Sequence, residues 1–573
     1  MRLFQFYSLF LFVLLLLQCQ SATEESNANK EPISLSPDYD LTLPERPNIL
    51  WIVAEDLSAY LPMFGDSTIE TPNLSRLAAE GVCYDRFFSP AAVCAPARSA
   101  IATGMYPTHI KTNHMRTGPW FVDSLDQERI QAYSSMAMPD GLVTYESVPP
   151  PEVKMMSEYL RKAGYYCTNN AKRDYQFVSP VTAWDESSQQ AHWKNRVDRQ
   201  PFFAVFNIEV THESRIWAKQ NDSLWIDENA DIEVPPYLPD NEVGRRDIRR
   251  MYSNVKEMDA QAGAIIAELE TAGLMDNTII FWYTDHGGPL PRQKRLLYDS
   301  GIHVPMIVRF PNGQYKMQRD SQLLSFIDLA PTVLSIANVE PPAHMDGKAF
   351  LGQYKQDESA DYVFAAADRF DGLYDANRAS RDDRYKYIRY FMPEKPMLLP
   401  VRYREGQPIM QELNRLHEVD SLTPEQALWY RATKPEEELF DIWNDPHELT
   451  NLAKDPSHQE KLEELRVACN DWLESIDDNP LQPEAEIIQA MWPDMKQPTT
   501  AAPEIAMENG KIKLSSATEG ASIGYRFMEV GEQPDFSNWQ VYTAPIEPQP
   551  GQQLWVRAHR IGYQGVTVSE MME

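Results

Sequence analysis

The fold of this chain is decided by residues 48–56, NILWIVAED. The first seven of them form a continuous apolar run of strand length directly after Pro47. Such a run predicts a strand that is buried on both faces, as in a parallel sheet covered by helices. The run ends in two carboxylates, Glu55 and Asp56. Because sites in open α/β sheets lie at the carboxyl ends of the strands, these two side chains are candidate site residues.

The same pattern continues along the N-terminal half of the chain. Further strands are predicted at 165–168, 202–210, 278–284 and 304–309, and helices at 73–80, 155–163 and 249–274. Strands that alternate with helices predict an α/β domain, in which a mainly parallel sheet is sandwiched by helices.

Polar side chains follow several of these strands at the points where the strands end. They are Glu55 with Asp56, Lys172 with Asp174, His212, and Asp285 with His286. Since the carboxyl ends of parallel strands meet at one edge of a sheet, we expect these residues to converge. Three carboxylates and a neutral imidazole can hold a divalent cation. Carboxylates favour Ca²⁺ or Mg²⁺, and the histidine also allows Mn²⁺ or Zn²⁺.

A cysteine and an arginine lie at the start of another predicted helix. Residues 94–98 are CAPAR, in which Pro96 suits the first turn, and Gly104 suits the end of the helix. Arg98 follows Cys94 by about one turn, so both can face the helix N-terminus, where negative charge is favoured. This segment alone fits either a nucleophile beside an anion-binding corner or an ordinary buried thiol.

Length and charge exclude some classes of protein. The chain has 573 residues and a net charge of −31, from 53 Lys and Arg against 84 Asp and Glu. The length is too great for a single core and predicts at least two domains. The acidic balance argues against nucleic-acid binding, which needs basic patches. The five cysteines lack zinc-site spacing.

The N-terminus is typical of an export signal. Residues 1–21 begin with a positive charge and contain an apolar run, 9–17, that is too short to span a membrane. The residues before Cys19 are similar to a bacterial lipobox except for one Gln, so a lipid anchor and ordinary cleavage shortly afterwards are alternatives. Residues 22–45 are predicted to be a tether. We expect a protein of the bacterial periplasm or cell surface, or otherwise a secreted one.

The pattern changes C-terminal to the α/β domain, which is assigned to residues 46–355. Residues 356–480 predict a smaller α+β subdomain that includes a helix at 458–476. Many prolines in 481–502 predict a linker. Short alternating strands in 503–573 predict a β-sandwich module that loosely resembles modules of bacterial glycoside hydrolases. A structural spacer and a glycan-binding module are alternatives for it.

These motifs resemble the formylglycine-dependent sulfatases of the alkaline-phosphatase-like superfamily. Residues 94–98 match the family's Cys-x-Pro-x-Arg signature. Further matches are Thr103-Gly104, Lys172, His212, Asp285-His286 and Lys294. Two positions depart from the pattern, because Glu55 replaces the usual Asp and Asp174 replaces a His. The resemblance covers about residues 46–455.

The resemblance implies an alkaline-phosphatase-like fold and hydrolysis of sulfate esters, or N-sulfates, on a sulfated carbohydrate. It implies that a maturation enzyme converts Cys94 to formylglycine (3-oxoalanine), whose hydrate attacks sulfur. The implied cation is Ca²⁺, with Mg²⁺ or Mn²⁺ as alternatives, and its implied ligands are Glu55, Asp56, Cys94, Asp285 and His286. The implied catalytic residues are Cys94, Arg98, Lys172, His212 and Lys294, of which His212 protonates the leaving oxygen.

Substrate contacts and two competing functions complete the predictions. Asp174, His109 and Arg292 are predicted to bind substrate, and Asn113, His114, Arg173 and Arg369 are further candidates, with solvated surface charge as the alternative for each. One competing function is a phosphoester or phosphonate hydrolase on the same fold. The other is a non-catalytic glycan-binding relative, which the departures at Glu55 and Asp174 motivate.

Overall fold

The computed structural model describes residues 41–120 and 138–572. The predicted signal peptide, Cys19 and most of the predicted tether lie outside the described residues. Within the described part, no helix is long and apolar enough to cross a membrane.

A nine-stranded sheet forms the centre of the α/β domain. Its strands are β1 (Asn48–Ala54), β2 (Val82–Phe88), β3 (Tyr166–Asn170), β4 (Glu186–Ser187), β5 (Phe202–Ile208), β6 (Thr278–Thr284), β7 (His303–Arg309), β8 (Gln318–Asp320) and β9 (Leu324–Ser325). Their order is β4-β3-β5-β1-β6-β7-β2-β8, and β9 pairs with β2. Among these described strands only β7 runs antiparallel to its neighbours, β6 and β2. The prediction of a mainly parallel sheet is confirmed.

Helices cover both faces of this sheet. In chain order the helices are α1 (Pro72–Ala79), α2 (Cys94–Thr103), α3 (Met156–Lys162), α4 (Ser214–Ala218), α5 (Glu242–Thr271), α6 (Asp299–Ile302), α7 (Leu329–Ile336), α8 (Pro408–Glu418), α9 (Pro424–Ala427), α10 (Gln459–Ser475) and α11 (Glu484–Met491). Leu50 and Ile52 of β1 pack with α5. Trp51, on the opposite face, packs with α3 and α7. This alternation explains why the whole of β1 is apolar.

Strand β2 was not among the predicted strands. Its sequence, VCYDRFF, carries Asp85 and Arg86 in the middle, and the pairing with β7 shifts register between Tyr84 and Phe87. Polar residues at an irregular pairing break the apolar run by which buried strands are identified.

The α+β subdomain has an antiparallel sheet. Its strands are β10 (Val363–Ala367), β11 (Asn377–Arg381), β12 (Tyr385–Tyr390) and β13 (Glu437–Asp441), in that order. Helix α10 packs Leu462, Leu465 and Cys469 against Tyr387 and Leu439 of this sheet.

The segment 481–502, predicted as a linker, is instead folded onto the rest of the protein. It contains helix α11, from which Glu484 is buried and accepts hydrogen bonds from both Arg369 and Tyr145. Ile488 and Trp492 are buried as well. The prolines of this segment flank the helix and do not mark a flexible connection.

The C-terminal module has two antiparallel sheets. They are the hairpin β14 (Glu504–Glu508) with β15 (Lys511–Ser515), and the sheet of β16 (Ser522–Met528), β17 (Gln540–Val541), β18 (Gln553–His559) and β19 (Val566–Met571). Both contribute to one apolar cluster, which includes Leu514 and Val556. The backbone N–H of Asn538 donates to the Asp185 carbonyl at 2.9 Å, so the module contacts the α/β domain.

Candidate active site

Helix α2 begins at the carboxyl edge of the sheet and places Cys94 there. Cys94 is the first helical residue, and Gly104 ends the helix with φ 71° and an N–H donated to the Ala100 carbonyl. The left-handed conformation at Gly104 is the reason for a glycine there. The prediction of this helix from Pro96 and Gly104 is confirmed. The Cys94 Sγ atom is buried, 3.4 Å from Nε2 of His286.

Four buried residues form what we call the Cys94 cluster: Asp56, Cys94, Asp285 and His286. Their potential ligand atoms all lie within 4.8 Å of one another. His286 Nδ1 lies 3.0 Å from the Gly287 carbonyl, and its Nε2 faces Asp56 Oδ1 at 3.1 Å. Two carboxylates and an imidazole nitrogen that converge on one point fit a divalent cation such as Ca²⁺ or Mg²⁺. The chemistry of this donor set therefore agrees with the predicted metal.

Glu55 lies at the edge of the Cys94 cluster and faces two cations. Its Oε1 is 2.9 Å from Lys172 Nζ and 3.3 Å from Arg98 Nη2. With Asp56 and His212 it forms a second group whose ligand atoms are close enough to hold an ion. Although burial raises the pKa of Glu55, Lys172 and Arg98 lower it to about 2, so the carboxylate is ionised.

Arg98 connects the ends of three strands. Its guanidinium contacts Asp285 Oδ2 at 3.0 Å, Glu55 Oε1 at 3.3 Å and Asn207 Oδ1 at 2.6 Å. Asn207 is a site residue that the sequence analysis missed. It holds Asn169 in turn, at 3.1 Å. The available signal was a single polar residue in the otherwise apolar strand β5, FFAVFNI.

Lys294 places a further ammonium group beside Asp56. Its Nζ lies 2.7 Å from Asp56 Oδ2, 3.2 Å from Glu213 Oε1 and 3.4 Å from His212 Nε2. Glu213 was also missed, although it directly follows His212. Its backbone N–H donates to Asp56 at 2.8 Å, and its buried carboxylate pairs with Arg295. Glu213 thus orients a metal-ligand candidate and a cation together.

Comparison with known proteins identifies the family of this chain. A family model described as Sulfatase matches residues 47–339, and one described as N-sulphoglucosamine sulphohydrolase, C-terminal, matches residues 292–402. A curated relative, "Ulvan-active sulfatase" of Formosa agariphila, is 48% identical over 598 aligned positions that cover 98% of this chain and 97% of that protein. The chain belongs to the sulfatase family. It is therefore an enzyme, a sulfuric ester hydrolase, as predicted.

Solved structures share the fold of this sulfatase. A protein in complex with its substrate D-glucosamine-2-N,6-O-disulfate superposes with a TM-score of 0.52 at 15% identity, covering 76% of this chain and 99% of that one. The phosphonate monoester hydrolase of Agrobacterium radiobacter superposes with a TM-score of 0.50 at 16% identity, covering 76% and 97%. These likenesses confirm the predicted alkaline-phosphatase-like fold.

The charges of the sulfatase site shift the pKa values of its titratable side chains. Burial raises the pKa of the Cys94 thiol, but Lys294 and His286 outweigh burial and lower it to about 6. Burial lowers the pKa of His286, but Asp285 and Asp56 raise it to about 10. Burial lowers the pKa of His212, but Asp56, a hydrogen bond with Cys94, and Glu55 together raise it. The carboxylates therefore favour positive charge at this point, either on a protonated His286 or on a cation, to which only the neutral imidazole can bind.

The predicted substrate-binding residues do not all reach this sulfatase site. His109 pairs with Asp346 at 3.0 Å. Arg292 is buried between the rings of Tyr237 and Tyr298, and its guanidinium donates to the carbonyls of His447 and Glu448. Arg292 is therefore held by other groups of the protein, and these contacts do not support its predicted role in substrate binding.

The other residues predicted to bind substrate differ in their burial and in their contacts. Arg369 is buried against Glu484, and Asn113 donates to Asp368 at 2.7 Å. Asp174 and Arg173 are half-buried on the loop that carries Lys172. The substrate roles of Asp174 and His109 stay predictions.

Proposed function

We propose that this sulfatase removes sulfate from a sulfated carbohydrate. The proposed nucleophile is a formylglycine made from Cys94. The proposed cation is Ca²⁺, held by the Cys94 cluster and Glu55. The observation that carries the proposal is the convergence of Asp56, Asp285, His286 and Cys94 within 4.8 Å. When present, the cation and the formylglycine hydrate would supply positive charge for a sulfate oxygen and an oxygen nucleophile, respectively.

The protein's own cations hold the anionic ester. Arg98, Lys172 and Lys294 lie around Cys94, and each is fixed by a buried carboxylate. Pre-oriented positive charges of this kind stabilise charge that develops on the sulfate oxygens in the transition state. Because each of these cations has a carboxylate partner, a bound divalent cation would supply the excess positive charge that an anionic ester needs in a chain with a net charge of −31.

His212 protonates the oxygen of the leaving sugar. Its Nδ1 contacts Ser214 Oγ at 2.8 Å, which orients the ring. Its Nε2 then faces the site, 3.4 Å from Lys294 Nζ and 4.0 Å from Asp56 Oδ2. The raised pKa of His212 favours the protonated imidazole, the form that a general acid requires.

The 48% identical relative supports a substrate class. Because that protein is named an ulvan-active sulfatase, we propose sulfated sugars of ulvan as substrates. A phosphonate hydrolase on the same fold is the competing candidate. The Cys-x-Pro-x-Arg signature at 94–98, which resembles the maturation signal of formylglycine sulfatases, favours sulfate.

We also propose that the protein is exported. The apolar run 9–17 behind a positively charged start supports this. Mass spectrometry of the mature N-terminus tests it. A lipid-modified Cys19 supports a surface anchor, cleavage after Ser21 or Ala22 supports a free protein, and an uncleaved Met1 contradicts export.

The central experiment uses protein co-produced with a formylglycine-generating enzyme. We expect mass spectrometry to find formylglycine at position 94 and ion chromatography to detect sulfate released from ulvan fragments. Cys94→Ala should release none, whereas Cys83→Ala, which removes a buried thiol of β2, should keep activity. A Cys94 that remains a thiol in an active enzyme contradicts the proposed mechanism.

A further inference from the structure

We propose that the C-terminal β-sandwich module completes a sugar-binding subsite beside the active site. Its loop 535–538 and the α/β domain together line a cavity. The ligand of this cavity is an unsulfated sugar unit of the polysaccharide chain whose sulfate ester lies at Cys94. The inference rests on the proposed function, because it concerns the carbohydrate that loses its sulfate. It gives the module a role in binding long substrates.

The cavity lies where the module meets the α/β domain. Its volume is about 430 Å³, within the range of roughly 300–1,000 Å³ that is typical of small-molecule sites. Trp120, Trp184 and Ser187 line it from the α/β domain, and Phe536 and Asn538 line it from the module. Two parts of the chain that are far apart in the sequence therefore build one site.

A chain of hydrogen bonds connects this cavity to the catalytic residues. Arg98 donates to Asn207 at 2.6 Å, and Asn207 donates to Asn169 at 3.1 Å. Asn169 in turn donates to the Ser187 hydroxyl at 3.1 Å. Ser187 ends β4, which is parallel to β3 and lies three strands from β1, about 14 Å at the usual strand spacing. A polysaccharide that is bound with its ester at Cys94 can therefore extend along the carboxyl edge of the sheet to the cavity.

Aromatic rings and uncharged polar groups make up most of the described lining. The rings belong to Trp120, Trp184 and Phe536, and the amides include those of Gln190 and Asn195. Phe536 is 44% exposed. An aromatic face can pack against the C–H face of a pyranose, while amides and hydroxyls bind the hydroxyl groups of the sugar. The lining therefore has the chemistry of a sugar site.

The charged side chains of the cavity argue against an anionic ligand. Among the described lining residues they are Arg173, Glu186 and Asp535, which are one cation and two carboxylates. This balance offers no excess positive charge to a sulfate group. The sugar unit that fits the cavity therefore carries no sulfate.

The module is fixed against the α/β domain next to the cavity. The Asn538 N–H donates to the Asp185 carbonyl at 2.9 Å. Arg161 of helix α3 donates to the Trp539 carbonyl, and it also pairs with Asp185 Oδ1 at 2.7 Å. These contacts join the loop of the module to the segment that leads into β4, so both walls of the cavity are held together.

Contacts within the module hold the loop itself. Asp535 Oδ1 accepts hydrogen bonds from Arg526 Nη1 at 3.0 Å and from the Ser537 N–H at 3.1 Å. The Arg557 guanidinium carbon lies 5.6 Å from the Phe536 ring centroid and supports the ring. Because the protein's own contacts fix the loop, a sugar that binds there immobilises few additional groups.

The test measures kcat/KM for sulfate release from ulvan-derived oligosaccharides of increasing length, each with one sulfate on the same sugar. For the wild type we expect kcat/KM to rise once the chain is long enough to reach the cavity. In Phe536→Ala we expect kcat/KM for the long substrates to fall by about 3–10-fold, through KM, and to stay unchanged for the shortest one. A second series that is sulfated throughout should gain less from length.

Matched variants separate binding from folding. Trp443 is also 44% exposed, and the Arg384 guanidinium carbon lies 5.1 Å from its ring centroid, but Trp443 does not line the cavity. Trp443→Ala should therefore keep the wild-type dependence on chain length. Gln190→Ala changes the wall on the α/β domain and should weaken the long substrates alone. It provides the same comparison if Phe536→Ala is poorly folded.

The outcomes distinguish the two proposals. A wild type with the same kcat/KM at every length overturns the subsite alone, as do Phe536→Ala and Gln190→Ala variants that keep the wild-type dependence on length. Equal loss on short and long substrates in both variants also overturns it, because that pattern indicates a structural role. A larger gain from length in the fully sulfated series overturns the unsulfated ligand. A wild type that releases sulfate from no substrate overturns the proposed function and the subsite together.

Discussion

Lys172 Nζ lies 2.9 Å from Oε1 of Glu55, one of the two residues at which the sequence departs from the motif pattern that it resembles. The same oxygen is 3.3 Å from Arg98 Nη2. One carboxylate oxygen of Glu55 thus holds two of the cations proposed to bind the sulfate.

Removing the Glu55 charge should impair catalysis more than stability. In Glu55→Gln we expect kcat/KM for sulfate release to fall by roughly 10–100-fold, because Lys172 and Arg98 lose their shared anchor and the proposed cation loses a carboxylate ligand. Steady-state kinetics checks this. Glu209→Gln, which removes an exposed carboxylate paired with Arg215, is the control. Equal rates in Glu55→Gln and wild type would contradict the anchoring role.

We expect the activity of this enzyme to depend on pH through His212, the proposed general acid. Burial lowers the pKa of His212, but Asp56, a hydrogen bond with Cys94, and Glu55 together raise it overall. The acid form therefore persists to higher pH, and kcat should decline only as the pH rises through the raised pKa. His212→Asn should lose this decline and lower kcat by roughly 10²–10⁴-fold on sugar sulfates. A variant with the wild-type kcat–pH profile would exclude His212 as the acid.

Metal removal should stop the reaction reversibly. Chelation should reduce sulfate release to background, and Ca²⁺ should restore it, because the ligand atoms of the Cys94 cluster converge within 4.8 Å. Ca²⁺ at 100 times its dissociation constant should also stabilise the fold by about 2.7 kcal/mol, detected as a higher Tm. Asp285→Asn should abolish this thermal shift. Full activity in protein that elemental analysis finds free of metal would contradict the prediction.

Glu484 links helix α11 to the catalytic part of the chain. Its carboxylate receives two hydrogen bonds from Arg369, at 2.6 and 2.8 Å. Glu484→Gln removes the carboxylate charge that pairs with the buried Arg369 and should destabilise the fold by about 3–5 kcal/mol. Glu486→Gln changes an exposed carboxylate on the same helix and should have little effect.

The effect of Glu484 should disappear in acid. Burial raises the pKa of Glu484, but His114 and Arg369 lower it overall. A lowered folded-state pKa gives stability that is present above the unfolded value and lost as the pH falls through the folded value. The Tm difference between wild type and Glu484→Gln should therefore shrink with falling pH. A constant difference would show that the Glu484 charge is not the cause.

The strands and helices that are marked by local features of the sequence were predicted correctly. The strands at 48–54 and 278–284 and the helix that starts at Cys94 match the structure. Each depends on features within about ten residues, namely a continuous apolar run, a proline in the first turn or a glycine at the end. Strand β2 was missed because polar residues interrupt its apolar pattern.

The same distinction between local and tertiary information holds for the active site. By itself, the sequence determined which chemical groups end the parallel strands, because those positions follow apolar runs. Only the tertiary structure decided their partners. Arg98 with Asn207 and Glu213 with Arg295 join residues 82–109 positions apart in the chain. Such pairings form only when strands and loops that are distant in the chain dock together. A charge is buried beside its counter-charge only in the folded protein, so the free energy of that burial depends on the tertiary structure.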